Sequence, residues 1–363
     1  MKRFVFSLLA LLLSAAGASA QLKFVDAEQL GLVNKLGPTE NRYHRVDTDK
    51  YDLTQAEANL LRMPAGMALV FRTNSSQIAV RTHYLNYSMV RHSTTGVSQT
   101  GYDLYIRKDG GWLYAGSNAP KNEDAELVLV RNMDDSEKEC LLYLPLFSEL
   151  GSIEIGIDEG ARIEASANPF RHRANPFRHR IIIFGSSFTH GTSTGRPGMS
   201  YPMIMQRNTG LQFISLGVSG NSKLQQSFAQ IIGDNACDAI VVDAFSNPGP
   251  EMIRERFLPF VAAIRKAHPA VPLIFLQTIY RERANFDLKE RAREEEKRRA
   301  ARTVFEEAAK VYDHIYFVDE PDLTGTDHIT SLDGTHPDDL GYWRWANAIQ
   351  PRIVKILKKY GIR

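Results

Sequence analysis

Residues 181–191 read IIIFGSSFTHG, in which an apolar run ends at a glycine that is followed by two serines. An apolar run of this length is typical of a strand that is buried on both faces of a parallel sheet. Four similar runs follow, and stretches with helical spacing separate them. We therefore predict an α/β domain over residues 181–363, with a five-stranded parallel sheet between layers of helices.

The predicted strands of this domain are RIIIFG, FISLG, AIVVDAF, LIFLQTI and IYFVDE, and the predicted helices cover residues 201–209, 222–233, 250–267, 287–312 and 338–359. The fourth helix, DLKERAREEEKRRAARTVFEEAAKVY, is densely charged. Its mixed signs and its Glu–Lys and Glu–Arg spacings are typical of a solvent-exposed helix, and we prefer this interpretation to a docking site for an acidic partner.

The first half of the chain has a different pattern. Between residues 66 and 157, short apolar or alternating runs are separated by turn signals such as TNSS, RKDGG and NMDDSE. No helical period persists there, so we predict a small antiparallel β-sandwich domain over residues 21–166. Trp112, Tyr102 and Tyr105 either stack on a bound glycan or, as we favour, form the sandwich core or pack against the α/β domain.

Between the two predicted domains, residues 167–180 read ANPFRHRANPFRHR, a perfect tandem copy of seven residues. Two copies are too few for a repeat architecture, and Pro169 and Pro176 interrupt any regular element. We interpret the segment as a solvated, extended linker, with a local basic patch as the alternative.

The N-terminus has the pattern of a secretory signal peptide over residues 1–20: a basic start, a short apolar stretch and the small residues ASA at 18–20. Since the apolar stretch is short for a membrane span, we expect cleavage before Gln21, no stable membrane insertion afterwards, and a periplasmic or secreted protein. Cleavage removes Lys2 and Arg3 and lowers the formal net charge from +2 to zero, so the composition does not suggest a nucleic-acid partner.

Two cysteines, Cys140 and Cys237, could pair in an oxidising compartment, but both lie in apolar segments of different predicted domains. Two buried free thiols are therefore the favoured interpretation. The sequence has no H-E-x-x-H motif and no clustered Cys/His spacing, and we expect no metal and no other cofactor.

Polar residues lie just after the predicted strands, where open parallel sheets bind ligands. Ser187 follows the first strand, Gly220 lies in LGVSGNS after the second, and Asn247 lies in DAFSNP after the third. Asp333 and His336 lie in DGTH, before the last helix. A serine nucleophile needs a base, a carboxylate that orients the base, and donors for the oxyanion, and these residue types supply all three.

Each of these residues has an ordinary alternative when it is taken alone. A serine after a strand commonly caps a helix, DGTHP is a common turn sequence, and Asn247 before a proline can initiate a turn. Their occurrence at successive strand ends of one domain favours catalysis. The chain has no G-x-S-x-G elbow, which argues against the other common serine-esterase fold.

In this order, GSSFTHG, LGVSGNS, DAFSNP and DGTHP resemble the four motif blocks of the SGNH, or GDSL-type, hydrolases. The resemblance covers residues 180–363 and implies a flavodoxin-like fold and serine esterase activity. It implies that Ser187 is the nucleophile, His336 the general base and Asp333 the residue that orients the base. The oxyanion hole would consist of the backbone N–H groups of Ser187 and Gly220 and the side-chain amide of Asn247.

Two positions depart from the pattern of this family. Ser186 stands where the family has an acid before the nucleophile, and Pro248 stands where an acid usually follows the asparagine. These departures indicate a divergent branch, and RPGMSYP and GYDLY resemble exported bacterial esterases with an N-terminal β-domain. Asn221 and His190 are candidate substrate contacts, although His190 is equally explained as a surface loop histidine.

The sequence therefore predicts an exported serine esterase that removes short acyl groups, above all acetyl, from a carbohydrate or another small ester. One alternative is a non-catalytic glycan-binding protein on a degenerate hydrolase scaffold. Another is a lipase or phospholipase, but no long apolar insertion that could form a lid lies between the motif blocks.

Overall fold

The computed structural model describes residues 22–88, 92–170 and 180–363. The predicted signal peptide and most of the duplicated heptads lie outside these ranges. Among the described residues, no helix combines the length and the apolar character that crossing a membrane requires.

The N-terminal part forms two antiparallel sheets. Its strands are β1 (Leu22–Asp26), β2 (Gly31–Val33), β3 (Ala68–Thr73), β4 (Ile78–Asn86), β5 (Tyr102–Lys108), β6 (Gly111–Asn118), β7 (Leu127–Val130), β8 (Lys138–Tyr143), β9 (Glu149–Asp158) and β10 (Ile163–Ala165). One sheet has the order β1-β9-β4-β7, and the other has the order β10-β3-β8-β5-β6, with β2 also paired to β3. Two short helices accompany them, α1 (Gln55–Arg62) and α2 (Gly96–Thr100). The prediction of an antiparallel β-domain is confirmed.

The sequence pattern did not single out β1, β2, β9 and β10, and β9 is the longest of these strands. Two glycines interrupt its alternation, and each lies where another side chain comes very close. A Cβ on Gly156 would lie 2.7 Å from the Phe24 ring, and one on Gly151 would lie 2.7 Å from the His83 ring. Glycine inside a strand commonly marks such a close approach.

The C-terminal part forms the predicted parallel sheet between helices. Its strands are β11 (Arg180–Gly185), β12 (Gln212–Gly217), β13 (Ala239–Asp243), β14 (Leu273–Leu276) and β15 (Ile315–Val318). Within the described residues the sheet order is β12-β11-β13-β14-β15, and every neighbouring pair is parallel. The predicted five-stranded α/β fold is confirmed.

The helices of this part are α3 (Ser187–His190), α4 (Tyr201–Thr209), α5 (Gln226–Gly233), α6 (Pro250–Ala267), α7 (Leu288–Ala308) and α8 (Asp339–Lys358). Helix α5 begins four residues later than predicted. Residue Ser222 at the predicted start is instead bonded to Asn247, as described below. Short 3-10 helices cover Ala27–Gln29, Thr48–Lys50, Pro197–Met199 and Glu282–Asn285.

The interpretation of α7 as a helix with only solvent-exposed charges is wrong along one stripe. Glu294 and Lys297 are 4% and 0% exposed. They lie at helical spacing from Ala301 and Val304, which pack in the apolar cluster on this side of the sheet. The stripe therefore faces the protein interior, and two of its positions carry charges.

The two domains share one apolar cluster, which joins side chains of β2, β3, β5 and β8 to side chains of β11, α4 and α8. Tyr105 belongs to it, Tyr102 lies in the β-domain core, and Trp112 is half-buried against the ring of Phe170. Tyr102 therefore packs in the sandwich core, while Tyr105 and Trp112 pack in or against the cluster shared with the α/β domain. Phe170 is itself buried, so the expectation of a solvated linker is wrong at this residue, because its ring packs between the domains.

Arg45 ties the N-terminal segment to the edge of the parallel sheet. Its buried guanidinium donates to the carbonyl oxygens of Ser215 at 3.1 Å and Gly217 at 2.9 Å, both on the edge strand β12. It also donates to the carbonyl oxygens of Met63 and Leu60. Edge-strand carbonyls that would otherwise lack partners are thus bonded within the chain.

Both cysteines are free thiols, as favoured from the sequence. Cys140 is buried and Cys237 is half-buried, so the expectation of complete burial holds for the first alone. Burial raises the pKa of each thiol to about 12, which keeps both protonated at neutral pH.

Candidate active site

Ser187 lies directly beyond the carboxyl end of β11, at the first position of α3. Ser186 is the N-cap residue of this short helix, because its Oγ accepts a hydrogen bond from the backbone N–H of Phe188 at 3.2 Å. The turn needs a glycine just before the serines, since a Cβ on Gly185 would lie 2.0 Å from the Thr189 hydroxyl oxygen. The two adjacent serines therefore have different roles: Ser186 caps the helix, and the side chain of Ser187 faces the site.

The ring of His336 lies between Ser187 and Asp333. Its Nε2 is 2.9 Å from Ser187 Oγ, and its Nδ1 is 2.8 Å from Asp333 Oδ2. With Nδ1–H donating to the carboxylate, Nε2 is free to accept the serine proton. This is the order of groups that a serine nucleophile requires, and the structure brings together the three residues predicted for it.

Asp333 is held by its own turn. Its Oδ1 accepts hydrogen bonds from the backbone N–H groups of Thr335 at 2.9 Å and His336 at 2.8 Å. Partial burial acts to raise the pKa of Asp333, but the hydrogen bonds from the ring and backbone of His336 outweigh it, and the pKa lies below its ordinary value. The group is therefore ionised at neutral pH and can stabilise a protonated imidazole.

The two loops predicted to supply oxyanion donors flank Ser187. The sheet register pairs Gly185 at the end of β11 with Gly217 on one side and Asp243 on the other. Gly220 and Asn247 follow these partners by three and four residues, so they lie at the same sheet edge as Ser187. Gly220 has φ +76°, a conformation that favours glycine, while a Cβ there would meet nothing within 4 Å.

The side chain of Asn247 is oriented by Ser222, which lies on the Gly220 loop. Asn247 Oδ1 accepts from the backbone N–H of Ser222 at 3.2 Å and from its hydroxyl at 3.1 Å. Because the amide is planar, these contacts direct its oxygen toward Ser222 and its NH₂ group to the other side. The structure thereby links the two loops that carry the predicted donors.

The prediction for His190 needs correction. Its ring is 1% exposed, it stacks on Phe147 with centroids 4.3 Å apart, and its Nε2 lies 2.6 Å from the carbonyl oxygen of Leu146. These contacts rule out a surface loop position, because the buried ring faces the β-domain. His190 therefore joins α3 to the N-terminal domain. A contact between His190 and substrate stays a prediction.

Asn221 is half-buried, and its Nδ2 donates to the carbonyl oxygen of Ser219 at 2.9 Å. This bond braces the turn that carries Gly220. A contact between Asn221 and substrate stays a prediction.

Asp243 is a residue of this region that the sequence analysis missed. It ends β13, is completely buried, and accepts hydrogen bonds at Oδ2 from Thr189 at 2.9 Å and Tyr201 at 3.1 Å. Burial raises the pKa of Asp243 to about 7, while the two hydroxyl donors act to lower it. Its backbone carbonyl accepts the N–H of Ser186, so it lies directly behind the nucleophile turn. The sequence feature that could have identified Asp243 is an aspartate at the end of an otherwise apolar strand.

Asp103, the acidic residue of GYDLY, connects the segment after α3 to the β-domain. Asp103 is completely buried and accepts from Arg196 Nη1 at 2.9 and 2.8 Å and from the backbone N–H of Gly198 at 3.0 Å. Next to this pair, the Thr95 hydroxyl donates to the carbonyl oxygen of Gly195 at 2.6 Å. The two sequence segments GYDLY and RPGMSYP are therefore partners across the domain interface.

Over the ranges that the structure describes, no group of three or more His, Cys, Asp or Glu side chains is arranged to hold a metal ion.

Residues 178–354 match the model of the GDSL-like lipase/acylhydrolase family. Residues 22–163 match the model of the N-terminal domain of SGNH-hydrolase-type esterases. A comparison with proteins of curated function finds no relative of this chain. Among solved structures, a GDSL-like lipase from Bacteroides ovatus ATCC 8483 is 40% identical, with a TM-score of 0.88. That match covers 93% of this chain and 98% of the other.

Two more distant structures share the fold over both domains. The salicylyl-acyltransferase SsfX3 from a tetracycline biosynthetic pathway is 19% identical, with a TM-score of 0.70, and the match covers 94% of this chain and 99% of the other. A family two carbohydrate esterase from Cellvibrio japonicus is 11% identical, with a TM-score of 0.59, over 93% of this chain and 99% of the other.

Proposed function

This chain belongs to the family of GDSL-like lipases and acylhydrolases, and from that premise we propose that it is an exported serine esterase that removes short acyl groups, above all acetyl, from a carbohydrate. Membership of the family makes it a carboxylic ester hydrolase. The observation that carries the proposed mechanism is the continuous contact from Ser187 Oγ through the His336 ring to Asp333.

In the first half of the reaction, Ser187 Oγ attacks the ester carbonyl carbon while His336 Nε2 takes its proton. Asp333 stabilises the imidazolium that forms. The oxyanion of the tetrahedral intermediate accepts hydrogen bonds from the backbone N–H groups of Ser187 and Gly220 and from the amide of Asn247. Collapse breaks the bond to the sugar oxygen, which takes the proton from His336 and leaves as an alcohol.

In the second half, water repeats the sequence on the acyl-enzyme. His336 takes a proton from the water as its oxygen attacks the acyl carbon, and the same donors hold the second oxyanion. Collapse expels Ser187 Oγ, which regains its proton from His336, and releases the carboxylic acid.

The proposal of short acyl groups on a carbohydrate has two supports. The motif blocks have no long apolar insertion between them that could form a lid over a lipid chain. The Cellvibrio japonicus structure, which aligns with 93% of this chain, is that of a family two carbohydrate esterase. A non-catalytic glycan-binding protein would have no need for the serine, imidazole and carboxylate to be in mutual contact.

The first experiment compares hydrolysis of an activated acetyl ester by the wild type, Ser187→Ala and Ser186→Ala. We expect Ser187→Ala to lower kcat/KM by about 10⁴-fold or more, because the nucleophile is gone and only the oxyanion hole remains. Ser186→Ala is the matched control: it removes a helix cap worth about 1 kcal/mol, and it keeps the nucleophile.

Release of acetate from an acetylated polysaccharide, measured in parallel, tests the substrate class. Acetate released by the wild type and not by Ser187→Ala is the expected result. Equal, negligible rates for both proteins on both substrates, with the fold intact by circular dichroism, would exclude the esterase function. Hydrolysis of the activated ester without release from any polysaccharide would retain the esterase and exclude the carbohydrate substrate.

Export is tested separately, by expressing the full chain in a bacterial host and sequencing the N-terminus of the protein found outside the cytoplasm. We expect the mature protein to begin at Gln21, after the small residues at 18–20. Recovery of the whole protein from the cytoplasm with Met1 retained would contradict export.

A further inference from the structure

Behind Asn247 lies a group of buried charged side chains that the proposed chemistry does not use. Arg281 precedes the 3-10 helix Glu282–Asn285, and Glu290, Glu294 and Lys297 lie on α7. Their side chains are between 0% and 13% exposed. We call these four residues the α7 charge cluster.

Both cations of the α7 charge cluster donate to one backbone oxygen, the carbonyl of Ser246. Lys297 Nζ lies 3.0 Å from it and Arg281 Nη2 lies 2.9 Å from it. The same Arg281 nitrogen also donates to the Ser246 hydroxyl at 2.7 Å. Hydrogen bonds from charged donors are about twice as strong as neutral ones, so these two contacts hold the Ser246 oxygen more strongly than neutral donors would.

The position of this oxygen matters because Ser246 immediately precedes Asn247. The Ser246 carbonyl and the Asn247 backbone nitrogen belong to one planar peptide unit, so holding the oxygen fixes the plane from which the Asn247 side chain extends. On the side-chain end, Ser222 holds the amide oxygen. Asn247 is thus fixed at both its backbone and its amide.

The two carboxylates of the cluster compensate the two buried cations. Glu294 contacts Lys297 Nζ and lies 3.5 Å from Arg281 Nε, and Glu290 lies 3.5 Å from Arg281 Nη1. Four buried charges cost more desolvation free energy than apolar side chains of similar volume would. A cluster that served stability alone would gain from apolar replacements, whereas fixing a carbonyl oxygen requires hydrogen-bond donors, which apolar side chains cannot supply.

We infer that Arg281 and Lys297 are positioning residues for the oxyanion hole, which hold the Ser246–Asn247 peptide unit so that the Asn247 amide points at the developing oxyanion. The inference rests on the proposed function, in which Asn247 is an oxyanion donor. It assigns α7, a helix outside the four motif blocks, a part in the chemistry.

The test measures kcat and KM on an activated acetyl ester for Arg281→Met, Arg281→Lys and the double variant Glu294→Gln/Lys297→Met, which keeps the cluster electrically balanced. We expect kcat to fall by about 10- to 100-fold in Arg281→Met and the double variant, with KM within about twofold, because a small displacement of a catalytic group costs this much. Arg281→Lys retains a cation and should keep more of the activity. Lys289→Met, an exposed lysine on the same helix, is the matched control and should leave kcat unchanged.

The decisive measurement repeats these changes in an Asn247→Ala background. Loss of one oxyanion donor should itself lower kcat by about 10²- to 10³-fold. If the cations act through Asn247, their replacement then has little further effect; a purely structural role would give the same loss in both backgrounds.

Equal losses in the two backgrounds, or unchanged kcat in folded Arg281 variants, would overturn the inference while leaving the esterase intact. If the double variant fails to fold, the comparison of Arg281→Lys with Arg281→Met still decides between these outcomes. A wild type inactive on all esters would instead remove the proposed function, and the inference with it.

Discussion

Asp333 and Asp243 carry the same side chain close to the nucleophile, and their surroundings change its acidity in opposite directions. Asp333 is partly exposed and accepts three hydrogen bonds from N–H groups of its own turn. Asp243 is completely buried, has two hydroxyl donors on Oδ2, and has no partner for Oδ1 among the described residues. The pKa is lowered in the first and raised to about 7 in the second.

The comparison shows that the number of hydrogen-bond donors and the degree of burial determine whether a carboxyl group near an active site is charged. Asp333 stays charged and can stabilise a cationic imidazole. Asp243 stays largely protonated below neutral pH and holds α3 and α4 together through Thr189 and Tyr201. In the proposed mechanism, Asp333 takes part in the chemistry, whereas Asp243 supports the helices beneath the site.

The largest expected effect that would test the different roles of Asp333 and Asp243 is a change in kcat. Asp333→Asn should lower kcat on an activated acetyl ester by about 10⁴-fold, because an amide can neither fix the tautomer of His336 nor stabilise the imidazolium. KM should change little.

Asp243→Asn is the matched control for that measurement, since it makes the same chemical change at the buried site. We expect its kcat to stay within about tenfold of the wild-type value, because Asp243 touches no reacting atom in the mechanism. A loss in Asp243→Asn as large as that in Asp333→Asn would contradict the division of roles.

A smaller expected effect concerns the pH dependence of stability. Because the pKa of Asp243 is raised in the folded state, the folded chain holds a proton that the unfolded chain releases once the pH exceeds the ordinary pKa of 3.8. Stability is therefore lost as the pH rises from about 4 to about 7, by at most about 4 kcal/mol. Asp243→Asn has no proton to lose, and this part of the decline should be absent from its urea unfolding curves between pH 4.5 and 8.

For Asp333, the expected pH dependence of stability has the opposite direction in the same unfolding measurement. Its lowered pKa contributes stability that is present above pH 3.8 and is lost as the pH falls through its value in the folded protein. Asp333→Asn should therefore leave the decline between pH 4.5 and 8 as it is in the wild type. Identical curves for Asp243→Asn and the wild type would refute the assignment of the decline to Asp243.

What the sequence could predict is what depends on neighbouring residues along the chain. Helices 201–209 and 250–267 have the predicted bounds, because Gly210 and Pro250 mark them locally. The proximity of Ser187, His336 and Asp333 could be predicted because parallel strands bring their carboxyl ends to one edge of the sheet.

What could not be predicted depends on segments far apart in the chain. His190 is buried because Phe147 and Leu146 of the β-domain cover it, and nothing near residue 190 indicates this. Glu294 and Lys297 resemble surface residues of a charged helix in the sequence, because the Ser246 carbonyl and Arg281, which contact them in the interior, lie outside the helix. The local sequence pattern does not show which distant residues a polar side chain contacts.

The contacts of Arg45 have a consequence for aggregation. Strand β12 is an edge of the parallel sheet, and an open edge is a template onto which another chain can add a strand. By bonding the carbonyl oxygens of Ser215 and Gly217, Arg45 occupies part of that template with a side chain that cannot itself extend the sheet. We therefore expect the N-terminal segment to hinder intermolecular strand addition, since an α/β domain without it would expose these carbonyl oxygens at the sheet edge.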